Sequence, residues 1–486
     1  MNATRQSCRP VGAAWSQALA QALMIGTLVA ASALLAATGL AALARPLFVL
    51  GAIVIAGFAI HRSPWEYLTA TLWFWTICPF VRRIIDMYGG FEVFNIVLVT
   101  PNVLSLFMLR DLLTSRDLLR RPESAVGMLL FLPALYGLGV SFVHGDIMPG
   151  AVAAADWFTP LLYYFYLINL APRIDEADPF LRAFIPLNML IVVGYGVYQY
   201  VNPPIWDVEW IVNSMMDSVG TAVPYGLRVF STLNGPGLCA AWLSALTLLA
   251  LHFRTRLSML LLPPMILVLA LTLVRANIGG TILGLSILVL FGRGVTIRTL
   301  LAAAFGLLTV VAIVSLLNVR VADTLTQRFE TVNHLGNDQS ALARGALYLE
   351  APALIDAHPL GMGIGALGRG AVAAKETDLV NLDSGPIAIY LALGWIAGSV
   401  YFLGLLAVTI QALSAAKSSN SPAALVMAAV AVAIVAMIAF VNVVGLQGMI
   451  LGLAAGYAAA VDIHTRSRIF RPAFPVSNHD DGYCGV

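Results

Sequence analysis

Charge is what this chain has least of. Only 11% of its 486 residues are Asp, Glu, Lys or Arg, against roughly a quarter in soluble domains. With 60% of the residues apolar, a water-soluble globule is excluded, because no fold in water hides that much apolar surface. Cysteine is scarce too. The four cysteines, Cys8, Cys78, Cys239 and Cys484, include no CxxC and no Cys/His spacing, which excludes a disulfide framework and a zinc site of familiar type. There is no alternation of apolar and polar residues over about ten positions, as the strands of a membrane barrel would need. The net charge of +2 gives no reason to expect a nucleic-acid partner. No internal repeat is evident, and no Asp-x-Asp lies near the first spans.

What the chain does have is unbroken apolar runs of about 17–25 residues, the length a helix needs to cross some 30 Å of hydrocarbon. The fold class is therefore all-α, a polytopic transmembrane bundle of about 12–14 spans, since lipid admits only helices or closed barrels. The spans are expected at 18–42, 46–61, 64–80, 92–112, 126–143, 153–171, 180–201, 233–252, 257–275, 277–292, 298–317, 384–413, 422–442 and 446–463. The first run is too long for the core of a signal peptide, although Arg5 and Arg9 precede it. With the N-terminus inside, about 17 of the 27 Lys and Arg residues fall on the cytoplasmic side, as the positive-inside rule requires. Both termini are then cytoplasmic. The domain reading is a cytoplasmic N-terminus 1–17, a bundle 18–317, a large outer loop 318–383, C-terminal spans 384–463 and a polar, disordered tail 464–486.

Long loops in compact proteins tend to carry function. The outer loop includes a segment, Ser340 to His358, with leucines near helical spacing, followed by the glycine-rich run Gly361–Gly368. That run matches a dinucleotide fingerprint by letter only: no strand precedes it and no βαβ unit surrounds it. Three arginines stand out on the outer side. Arg275, in LTLVRANIGG, sits between two apolar stretches, where a charge faces a cavity or a partner or snorkels from a helix end. Arg228 precedes a span opening Asn234-Gly235-Pro236-Gly237, a helix start that can receive an anion, or is an ordinary loop arginine. Arg344 shares a helix face with Tyr348. Guanidinium forks match phosphate oxygens and stay charged, so a lipid diphosphate would suit these arginines if they converge. Candidate acids and bases are Asp383, at the re-entry of the loop, and His358; Asp383 is equally a helix N-cap, and His358 equally a loop histidine. Glu350 and His334 are further candidates.

The order RVFSTLNGPG, TLVRANIGG, a long loop with an arginine-bearing helix, HPLGMGIGAL and GWIAG resembles the O-antigen ligase and polysaccharide polymerase superfamily of bacterial inner membranes, over about residues 225–410. The resemblance implies glycosyl transfer at the periplasmic face from a glycan on undecaprenyl diphosphate. The acceptor would be another lipid-linked unit in a polymerase, or lipid A core in a ligase. It implies that Arg228, Arg275 and Arg344 hold the diphosphate, that no metal or other cofactor is needed, and that a chain-length regulator is a partner. Ligases commonly carry histidine where this chain has Asp383, so polymerisation is the preferred expectation. A lipid-linked glycan transporter or flippase is the rival class.

Overall fold

In the computed structural model the protein is a helix bundle. The structure describes residues 11–292 apart from 116, 215 and 216, then 339–374, 384–440 and 442–469. The expected span at 298–317, Asp383 and His334 lie outside the described residues. So do the side chains of 339–347, Arg344 among them. Among the described residues there is no strand, only an isolated bridge between Gly220 and Leu227.

The chain begins with α1 (Val11–Leu35), a π-helical turn Ala36–Leu40 containing Gly39 at φ 86°, and α2 (Ala41–Arg62). The two fold back on each other, with Leu28 against Gly51. Next come α3 (Pro64–Gly89), α4 (Thr100–Ser105), α5 (Phe107–Thr114), α6 (Pro122–Val143), α7 (Ile147–Asn169), α8 (Ala177–Val201) and α9 (Ile205–Ser214). They are followed by α10 (Pro236–His252), α11 (Arg256–Leu271) and α12 (Arg275–Phe291). After the long loop begins, α13 is Gln339–Ala357, α14 Arg369–Ala374, α15 Gly385–Ser419, α16 Pro422–Val435 and α17 Gly445–Ile469.

Among the described residues, seven helical stretches are long and apolar enough to cross a membrane. One of them, Gly12–Arg62, holds the first two expected spans. Four further apolar helices, α10, α11, α12 and α16, are shorter. The helix α3 is different in kind. It is rich in Trp and Thr and almost wholly buried, so protein rather than lipid surrounds it. It also runs on to Gly89, which carries Arg82 and Arg83 into the helix rather than into a loop.

Other boundaries depart from expectation for local reasons. The expected 92–112 span is three short pieces, a 3₁₀ turn Ile96–Val99 followed by α4 and α5. The 202–232 loop contains α9. The apolar run expected to be helical through residue 442 stops at Val435 and continues as turns. The stretch from His464 to Ile469, expected as tail, is the last part of α17.

The core centres on α17, with 89% of its apolar window buried. It lies on α7 through Gly448, Gly452 and Gly456, which face the ring of Pro160, the carbonyl of Pro160 and the carbonyl of Tyr164. Small residues four apart let two backbones approach where hydrocarbon supplies no hydrophobic drive.

The connectivity sorts polar groups to two ends. At one end Trp65 Nε1 donates to the Arg173 carbonyl, His464 meets the Ala171 carbonyl, and Arg468 pairs with Asp175. At the other end lie Arg45, Arg82, Arg83 and the starts of α12, α15 and α17.

Candidate functional site

Of the expected site residues, Arg228 and Arg275 lie at the Arg83 end. Arg228 is half-buried, and its guanidinium is aimed at backbone. Nε donates to the Thr272 carbonyl at 3.1 Å, one terminal nitrogen to the Ser218 carbonyl at 2.9 Å, and the other to the Leu273 carbonyl at 3.4 Å. Thr272 and Leu273 form the turn between α11 and α12. Leu273 has φ 58°, a left-handed conformation disfavoured for a branched side chain, and Arg228 grips its carbonyl. Arg275 follows directly as the first residue of α12, exposed at the helix start. The sequence thus brings Arg228 to the turn that delivers Arg275, although the two come from different loops.

Arg344 is carried on α13, one turn before Tyr348. The Tyr348 hydroxyl donates to the Ala439 carbonyl at 2.8 Å and accepts from the Ser384 hydroxyl at 2.8 Å. These bonds dock α13 where α16 has ended and α15 is about to start. The Gly385 amide donates to the neighbouring Ile438 carbonyl at 2.9 Å. The turns after Val435 therefore offer carbonyls that a continuous helix would have used internally. The same strip approaches α12, since Gly280 faces the Ala433 carbonyl and Met437. His358 is exposed just beyond α13, its carbonyl accepting from the Gly361 amide at 2.8 Å.

The glycine-rich run is built into the bundle by its backbone. Gly394 breaks α15 with φ 72° and ψ −176°. The Met362 and Gly363 amides donate to the freed carbonyls of Leu391 and Ala392 at 2.8 and 2.9 Å, and the Trp395 amide donates to the Pro359 carbonyl at 3.1 Å. Irregular backbone at membrane depth is tolerated where protein satisfies it. The run continues past Ser141, whose Oγ accepts from the Gly365 amide at 2.9 Å. It ends at Arg369, which pairs with Asp156 of α7 and donates to Asn102 Oδ1 at 3.3 Å. Burial pulls the Arg369 pKa down, but the Asp156 carboxylate outweighs this and leaves it raised.

Sequence reasoning missed the most buried charges. Arg83 and Asp207 are fully enclosed and pair at 2.7 Å. Arg83 also donates to the Leu233 and Ser231 carbonyls, each at 2.6 Å. The second Asp207 oxygen accepts from Tyr195 at 2.8 Å and Gln199 at 2.6 Å. Nearby, Asp86 joins Arg45 and Arg82, at 3.1 and 3.0 Å. Two signals were present in the sequence: adjacent arginines ending an aromatic apolar helix, and an acid, Asp207, set between Trp206 and Trp210.

Among the described residues no group of three His, Cys, Asp or Glu could hold a metal ion. The chain matches no protein-family model and no curated protein.

Proposed function

We propose that this protein is a glycosyltransferase that polymerises repeat units carried on undecaprenyl diphosphate. In this reading it lies in a bacterial inner membrane, and the Arg83 end of the bundle faces the periplasm. The observation that carries the reading is the seating of Arg228 on the Thr272–Leu273 turn, beside the helix that starts with Arg275. It brings two permanently charged forks to one end of a lipid-embedded bundle. With that end outside, Arg62, Arg173, Arg254, Arg466 and Arg468 lie inside with both termini, in keeping with the charge bias.

In the proposed reaction an acceptor sugar hydroxyl attacks the anomeric carbon and the lipid diphosphate leaves. Asp383 or His358 takes the hydroxyl proton. Arg228, Arg275 and Arg344 stabilise the charge that grows on the diphosphate. A chain-length regulator is the proposed partner. A ligase would run the same chemistry onto lipid A core.

The broken helix at Gly394 favours a second reading, since transporters use discontinuous helices to bind substrate. Its freed carbonyls, however, already accept from Met362 and Gly363, and so are spent inside the protein.

The test is glycan analysis of cells carrying Arg275→Ala. Polymer is expected to vanish while single lipid-linked repeats accumulate at the periplasmic face; accumulation at the cytoplasmic face instead supports transport. Arg275→Lys is expected to fail as well, because an ammonium lacks the fork. Polymer of normal length from a normally abundant Arg275→Ala protein overturns the reading.

A further inference from the structure

We infer that the enclosed Arg83–Asp207 pair is the positioning element for the phosphate-gripping arginines, a role that rests on the function proposed above. The argument starts at Ser231. This residue holds φ 52°, a strained conformation that persists only where the surroundings over-determine it. Here they do so from both sides of the chain. Gln199 Oε1 accepts from the Phe230 and Ser231 amides at 3.1 and 2.8 Å. Arg83 donates to the Ser231 and Leu233 carbonyls. The Ser231 hydroxyl donates to the Val192 carbonyl at 2.5 Å.

Asp207 ties the two clamps together, because one of its oxygens meets Arg83 and the other accepts from Gln199. Arg83 is fully enclosed, its three nitrogens meeting one carboxylate and two carbonyls, so that no substrate reaches it. Its effect travels along the segment before Ser231. The Val229 amide donates to the Leu271 carbonyl at 3.1 Å, and the Arg228 side chain grips Thr272 and Leu273. The register of Ser231 therefore sets where Arg228 lies and where α12 begins with Arg275. Arg83 touches no substrate in this scheme; it acts through the loop it holds.

The test uses the purified full chain in lipid nanodiscs, with undecaprenyl diphosphate as probe. Removing one partner alone risks unfolding, so the informative variant is the double replacement Arg83→Met/Asp207→Leu, which leaves neither charge of the pair without its partner. It is expected to melt close to the parent while affinity for the probe falls about tenfold or more, the cost of displaced binding groups. Arg83→Lys keeps the charge against Asp207 but cannot span both carbonyls, and is expected to lose affinity without losing fold. A purely structural role would move melting and leave the affinity of the folded protein intact. Full affinity in either folded variant, with Arg275→Ala weakened, overturns the inference alone. Unchanged affinity in Arg275→Ala overturns the proposed function as well.

Discussion

The two ends of the bundle handle arginine in opposite ways. At one end Arg83, Arg82 and Arg45 have side chains only 0%, 5% and 7% exposed, locked to Asp207, Asp86 and backbone carbonyls. At the other, Arg173 and Arg468 are 48% and 58% exposed and pair with Glu176 and Asp175 in reach of solvent. Solvated pairs contribute little, because water competes and long side chains must be ordered. Buried pairs are held because their components cannot be left single. The same residue type is thus a surface charge in Arg173 and Arg468, and at the other end an internal brace in Arg83, Arg82 and Arg45 beside the exposed Arg275.

The largest effect expected from this contrast is at the brace. Asp207→Asn should destabilise the protein by about 3–5 kcal/mol, since Arg83 is left without its counter-charge; thermal unfolding in detergent reads it. A loss no larger than that of an exposed pair would erase the contrast. Gly394→Ala should cost about 1–3 kcal/mol through strained backbone, with a Cβ also meeting the Leu360 carbonyl carbon at 2.6 Å; the same melting assay checks it. Arg228→Ala removes a charged donor from the Thr272–Leu273 turn and should cost about 1.5–3 kcal/mol. Hydrogen exchange at the start of α12 should rise in that variant and stay unchanged at its far end. The smallest effect belongs to the exposed end. Arg173→Ala should change stability by less than about 1 kcal/mol, and added salt should shrink even that. A large, salt-insensitive loss there would contradict the solvated description.

The class of fold was legible because lipid imposes it: apolar runs of spanning length can only be helices. The order of Arg228, Arg275 and the α13 segment was legible too, as motifs beside span boundaries. What a one-dimensional reading could not supply was the surroundings of each charge. Arg82 and Arg83 sit at the end of an apolar run and read as loop cations, yet α3 continues past them because Asp86 and Asp207 satisfy them in the interior. Val435 shows the converse. The apolar sequence runs on, but the helix stops, and the Ile438 and Ala439 carbonyls meet the Gly385 amide and Tyr348. Those partners come from distant parts of the chain, and local hydropathy carries no trace of them. The glycine-rich run after the α13 segment carried no sign of its neighbours, yet Gly361, Gly363 and Gly365 are pressed on Gly394, Ser141 and Gly150.

The mended break in α15 also bears on how the chain is threaded into lipid during synthesis. The donors at Met362 and Gly363 precede the acceptors at Leu391 and Ala392 in the sequence, so they emerge first from the translating ribosome. By the time the kinked helix is made, the segment that caps it has already been translated. Bare carbonyls need never wait in hydrocarbon for a partner still to be translated.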